Sequence, residues 1–134
     1  MHTEVYRRQH EQLRVLLDQT SRSLVPLDAE ACRAGLGRLA NVLNVHLALE
    51  DRALYPRLMT HDDLGLRKTA REFQMRMGSL AHEFRVFYER WIPAGAIESS
   101  SYDFALAYRA MSAALRRRME LEDTTLYRMV DSIL

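Results

Sequence analysis

The last quarter of the chain constrains the fold more than any other part. Phe104, Tyr108, Met111, Leu115, Arg118, Glu122, Thr125 and Met129 follow one another at alternating steps of four and three residues, with no proline between them. A strand turns every second residue to one side and a helix every third or fourth, so this stretch predicts a long helix with one continuous inward face. Such a face holds its helix in shape only when it packs against others of the same kind. Two of its inward positions, Arg118 and Glu122, carry charge.

Three more helices are predicted between breaks at Ser23 to Asp28, Pro56 to Gly65 and Ile92 to Ser101. The first has Tyr6, His10, Leu13 and Leu17 on one side, and the second has Leu36, Leu39, Leu43, His46, Glu50 and Ala53. The third is looser: Met75, Gly78, His82 and Val86 define its expected seam, with Phe84, Phe87, Tyr88 and Trp91 spread around the other sides. Asp28 is the expected cap of the second helix, and Ser100 with Asp103 reads as a capping box for the fourth. Four amphipathic helices on short connections fold most simply as an all-α, up-and-down antiparallel four-helix bundle, and 134 residues suit one domain, residues 1–134.

Nineteen Lys and Arg against eighteen Asp and Glu leave a formal charge of +1, which gives no field to gather nucleic acid or an acidic membrane. Cys32 is the only cysteine, so an intrachain disulfide and a Cys-rich metal site are both excluded. The polar N-terminal residues, Met1 to Gln12, contain neither a signal peptide nor a span, and a cytoplasmic location is expected. His2 and His61 fall outside the seams and are assigned no role. Arg116 and Arg117 belong to a solvated face, with Arg118 turned inward, and Met75, Met77, Met111 and Met119 read as core filler.

Charged side chains seldom lie in a core unless they are paired or bind a metal. Imidazole and carboxylate together suit iron, manganese or zinc, and His10, His46 and Glu50 can form a two-His-one-carboxylate face. In His46-Leu-Ala-Leu-Glu50 the four-residue step stacks both side chains on one side of the helix. Moreover, His10, His46, His82 and Arg118 recur at intervals of 36 residues, which predicts that all four sit at one level of the bundle. No histidine has a glutamate three positions before it, so the Glu-x-x-His pattern of ferritin-like bundles is absent.

The run His46-Leu-Ala-Leu-Glu50-Asp51-Arg-Ala-Leu54-Tyr55-Pro56 resembles the signature of hemerythrin-like, or HHE cation-binding, domains, and the likeness extends over most of the chain. It implies two irons, with His10, His46 and His82 as terminal ligands and Glu50 and Glu122 as bridges. It also implies a protein that binds or senses dioxygen, nitric oxide, iron or redox state, without enzymatic turnover. The fourth helix, Arg118-Met-Glu-Leu-Glu122-Asp123-Thr-Thr-Leu126-Tyr127, departs from the pattern by placing Arg118 where a histidine is called for. A guanidinium has no lone pair to give, which predicts a reduced or asymmetric site with one tight metal. Arg118 can turn away along its aliphatic stem, or it can pair with Glu50 or Glu122 in a metal-free bundle that serves as a protein interaction module.

Overall fold

The computed structural model describes residues 3–134, and His2 lies outside the described residues. Among these, all regular structure is helical: α1 (Glu4–Ser21), α2 (Ala29–Leu49), α3 (Tyr55–Met59), α4 (Leu64–Trp91), α5 (Ala96–Ser99), α6 (Ser101–Leu121) and α7 (Tyr127–Ile133). One turn of π-helix, Glu50–Leu54, joins α2 to α3, and a second, Glu122–Leu126, joins α6 to α7. Both unions are continuous rods. Helix α1 packs on α2, α2 on α4, α4 on α6 and α6 back on α1, which is the closed circuit of an up-and-down four-helix bundle. No helix is long and apolar enough to cross a membrane among the described residues.

Local chemistry sets the helix starts. Asp28 accepts a hydrogen bond from the Ala31 N–H at 3.0 Å, and Asp63 accepts one from Leu66 at 2.8 Å, each satisfying an orphan donor of a first turn. Ser100 takes the cap position of α6 without a side-chain bond, so the expected capping box does not form; its carbonyl, not its hydroxyl, receives the Phe104 N–H at 2.9 Å.

Three expectations of register are corrected. Pro56 does not end the second helix, because it falls in the first turn of α3, directly after a π turn, where its missing N–H is tolerated. Each π turn adds a residue to the helical circuit and so moves the inward face on by one. Leu54 and Leu126 are therefore buried where Ala53 and Thr125 are expected, and both of those are exposed. The third seam runs through Leu66, Ala70, Met77, Leu80, Phe84, Phe87 and Trp91, whereas Met75 and Val86 face solvent.

The core forms two apolar clusters. The larger contains Leu13, Leu17, Leu36, Leu39, Leu43, Leu80, Phe84, Phe87, Trp91, Phe104, Tyr108 and Leu115. Its rings meet edge-on, tilted or stacked, such as Trp91 edge-on to Phe104 at 5.3 Å and Phe87 stacked on Phe104 at 6.2 Å, each contact contributing about 0.5–1.5 kcal/mol beyond burial. The smaller contains Tyr6, Leu54, Tyr55, Leu58, Leu66, Ala70, Leu126, Tyr127 and Val130. His10, His46, Glu50 and Glu122 sit between the two as a polar layer, flanked in sequence by members of both.

Candidate metal centre

Four buried side chains converge in that layer. His10 from α1, His46 from α2, and Glu50 and Glu122 from the first residues of the two π turns each offer one ligating atom, and these atoms all lie within 4.8 Å of one another. All four residues are 0–1% exposed. Beginning a wider turn at each glutamate lets the rod carry its carboxylate inward without breaking the helix, and π turns concentrate at functional sites for this reason.

The histidine ring nitrogens are divided between two tasks. His10 Nδ1 lies 2.8 Å from Asp123 Oδ1, and His46 Nδ1 lies 2.7 Å from Gln9 Oε1. A carboxylate and an amide oxygen only accept, so both rings donate from Nδ1 and present an Nε2 lone pair inward. The two Nε2 atoms face each other at 3.2 Å. His46 Nε2 is also in direct contact with Glu50 Oε1, and His10 Nε2 lies 3.2 Å from Glu122 Oε1 without hydrogen-bond alignment. Electron-rich atoms this close repel unless a proton or a cation stands among them.

The outer contacts fix these orientations. Arg14 Nη2 donates to Asp123 Oδ2 at 2.6 Å, holding that carboxylate against His10. Burial works to raise the Asp123 carboxyl, but the hydrogen bonds from His10 and Arg14 outweigh it and leave the group below its ordinary range. Thr3 donates to Asp131 at 2.8 Å and Arg7 Nη2 does so at 3.3 Å, which ties the start of α1 to α7 beside the site.

The two glutamates are shifted in opposite directions. Burial works against ionisation of Glu50, yet a proton shared with His46 Nε2 when no metal is bound prevails and lowers its pKa. Glu122 is driven well above the usual carboxylate range by burial and by the neighbouring Glu50 charge. Glu50 Oε2 and both Glu122 oxygens are buried without hydrogen-bond partners among the described residues. Orphaned carboxylate oxygens are expensive in a core, and a divalent cation answers them.

The spacing agrees with such an ion. A tetrahedral site with bonds of ~2.05 Å has ligand–ligand edges of about 3.3 Å, close to the 3.2 Å that separates the two Nε2 atoms and the 3.2 Å between His10 Nε2 and Glu122 Oε1. Nitrogen and carboxylate oxygen together are the donor set of iron, manganese and zinc. The residues present therefore fit a metal.

His82, expected among the ligands, is not part of this layer. It is exposed on α4 and lies 3.0 Å from Arg85 Nη2. The reason is rotational: two residues beyond the buried Leu80 a helix has turned by about 200°, so position 82 looks outward. Met77 holds the inward place on α4 beside Glu50 and Tyr55.

Arg118 is inward, 7% exposed, but it does not pair with either glutamate. Its guanidinium lies 4.3 Å over the Phe73 ring, Nη2 reaches the Phe73 carbonyl at 3.5 Å, and Nε has no hydrogen-bond partner among the described residues. Of the two arrangements open in the sequence, the side chain takes the one that turns away along its stem. Burial draws its pKa down, and Glu122 offsets part of that effect.

Sequence reasoning missed Gln9, Asp123 and Arg14, because hydrophilic residues beside a seam look like ordinary surface. Tyr127 packs at the site, its hydroxyl 3.4 Å from His10 Nε2 and 3.5 Å from Glu50 Oε1. The repeated Glu-Asp-x-x-Leu-Tyr at 50–55 and 122–127 was the signal available for the two tyrosines. No curated protein and no solved structure matches the chain. The family model described as the hemerythrin HHE cation binding domain matches residues 1–130. A family that binds metal ions, an all-helical bundle and a buried layer of histidine and glutamate agree, and the chain belongs to the hemerythrin HHE cation binding domain family.

Proposed function

We propose that this protein binds one non-haem metal ion, iron in its working form, through His10, His46, Glu50 and Glu122, and uses it to sense or handle dioxygen or nitric oxide. The observation that carries the reading is the pair of imidazoles: each is fixed by its Nδ1, and the bare Nε2 atoms meet at 3.2 Å beside unpartnered carboxylate oxygens. Bound iron would supply a redox-active Lewis acid to a small ligand. The chain's own residues do the rest: Asp123 and Gln9 hold the ring orientations, and the two apolar clusters keep bulk water from the layer. Tyr127 remains a neutral phenol, because burial and the carboxylates push its pKa far up.

A single ion rather than two is supported by what stands on the α4 and α6 side. Met77 and Arg118 occupy it, one a poor donor and the other a permanent cation. The rival reading, a metal-free interaction module held by an Arg118–Glu ion pair, loses its premise because Arg118 stacks on Phe73 instead. Elemental analysis after anaerobic ferrous loading and gel filtration tests the proposal. One equivalent per chain, reduced to a trace by His46→Ala, is expected. No retained metal overturns the function, and two equivalents overturn the single-ion centre.

A further inference from the structure

A cleft of about 270 Å³ opens between α2 and α4 and ends on the metal layer. Leu47, Glu50, Tyr55, Met77, Gly78 and Ala81 are among its walls. Asp51 and Gln74 complete the lining, whose surface is nonetheless mostly apolar, which favours an uncharged guest. Two residues of its lining bury polar atoms without partners among the described residues, Glu50 Oε2 and the Tyr55 hydroxyl, and Tyr55 is only 1% exposed. A cation in the layer answers the carboxylate oxygen. The phenol is then left as a donor beside the cleft with no hydrogen-bond partner among the described residues. Gly78 is the open point of the wall, since a Cβ built there meets no atom within 4 Å.

We propose that this cleft is the entrance and seat of a small uncharged ligand, of dioxygen or nitric oxide size, which reaches the metal past Gly78 and Met77 and accepts a hydrogen bond from Tyr55. The proposal rests on the reading of the layer as a metal site, but the cleft itself can be tested without metal. Dissolved dioxygen is paramagnetic and speeds the relaxation of the methyl groups it visits. Under dioxygen pressure, the methyl signals of Met77 and Ala81 in the metal-free protein should relax faster than those of Leu36 and Leu39, which are buried away from the cleft. Gly78→Leu, a change that fills open space and favours the helix, should abolish the difference.

In the iron-loaded protein, Gly78→Leu should slow nitric oxide association by about tenfold or more, because the blocked route must wait on side-chain motion. Tyr55→Phe should leave association unchanged and speed dissociation by about tenfold, the worth of one hydrogen bond to the ligand. Nitric oxide rates in both variants equal to the original chain's, or dioxygen relaxation that Gly78→Leu does not alter, overturn the cleft. An original chain that takes up no iron sinks the metal reading alone, and the dioxygen measurement then supports or overturns the cleft by itself.

Discussion

Asp123→Asn separates the holding of a ligand from the ligand itself. The carboxylate touches no part of the four-atom cluster; it accepts from His10 Nδ1 and is clamped by Arg14. The amide keeps its shape but loses the charge and can turn a donor toward the ring, favouring the tautomer with the proton on Nε2. Loss of such an orienting partner weakens metal affinity by about 10- to 100-fold. At a zinc concentration of about 1,000 Kd, the original chain gains ~4.1 kcal/mol, and the variant under the same conditions gains only about 1.4–2.7 kcal/mol. An unfolding entropy of about 2.1 cal/mol/K per residue makes 1 kcal/mol worth roughly 3.5 °C for a chain of this length. Zinc should therefore raise Tm by about 15 °C in the original protein and by about 5–10 °C in the variant, as read by calorimetry with and without metal. The metal-free variant should melt a few degrees lower because it loses a partly buried ion pair worth about 1 kcal/mol, so the readout is the shift and not Tm itself. An undiminished zinc shift in Asp123→Asn refutes the claim that this carboxylate orients the ligand.

Four other outcomes follow from particular contacts. Glu122→Gln should raise the metal-free Tm at pH 7 by about 4–10 °C, since it removes a buried acid worth roughly 1–3 kcal/mol, and should lower metal retention in the same preparation. Met77→His combined with Arg118→His should raise bound iron from one to two equivalents per chain by elemental analysis, with each single change leaving it at one. The Cys32 thiol is pushed by burial to about 11, so its folded-state pKa exceeds the unfolded one; stability should be full below pH 9 and fall by about 2 kcal/mol as pH rises through 11, a loss that Cys32→Ala removes in denaturant titrations. A Cβ at Gly35 would come 2.2 Å from Thr20 Oγ1 where α2 crosses α1, so Gly35→Ala should cost about 1–3 kcal/mol by urea melting, and Thr20→Ala should restore most of it.

Legibility in the sequence followed periodicity. The α1 and α6 faces were plain because Tyr6, His10, Leu13 and Leu17, and then Phe104 to Glu122, keep an unbroken helical step, and every one of them is buried. The α4 seam was hidden by excess: Phe84, Phe87, Tyr88 and Trp91 put apolar surface on several sides, and the even interval of 36 residues drew His82 into a face from which it is turned by half a circuit. The same stretch read at 66, 70, 77, 80, 84, 87 and 91 has the regular step, with Met77 in the place sought for a histidine. The π turns were invisible for another reason. Nothing in the composition of Glu50 to Leu54 or Glu122 to Leu126 forbids ordinary helix, so the one-residue slip came from packing the two leucine–tyrosine pairs into the lower cluster.

Charge balance explains why losing two imidazole positions leaves a coherent centre rather than a wreck. In the metal-free layer ionisation is favoured at Glu50 and opposed at Glu122, and the guanidinium of Arg118 is held off on Phe73. One dication bound by both carboxylates and two neutral rings makes the layer itself neutral in a medium where net charge is costly. A second dication would find no further carboxylate in the cluster, no inward imidazole on α4 or α6, and a fixed positive charge at the edge. Bringing both histidines back supplies two neutral ligands and removes that charge at once, and so the paired substitution is expected to succeed where either alone fails: Met77→His keeps the repelling cation, and Arg118→His leaves the second ion without its α4 donor.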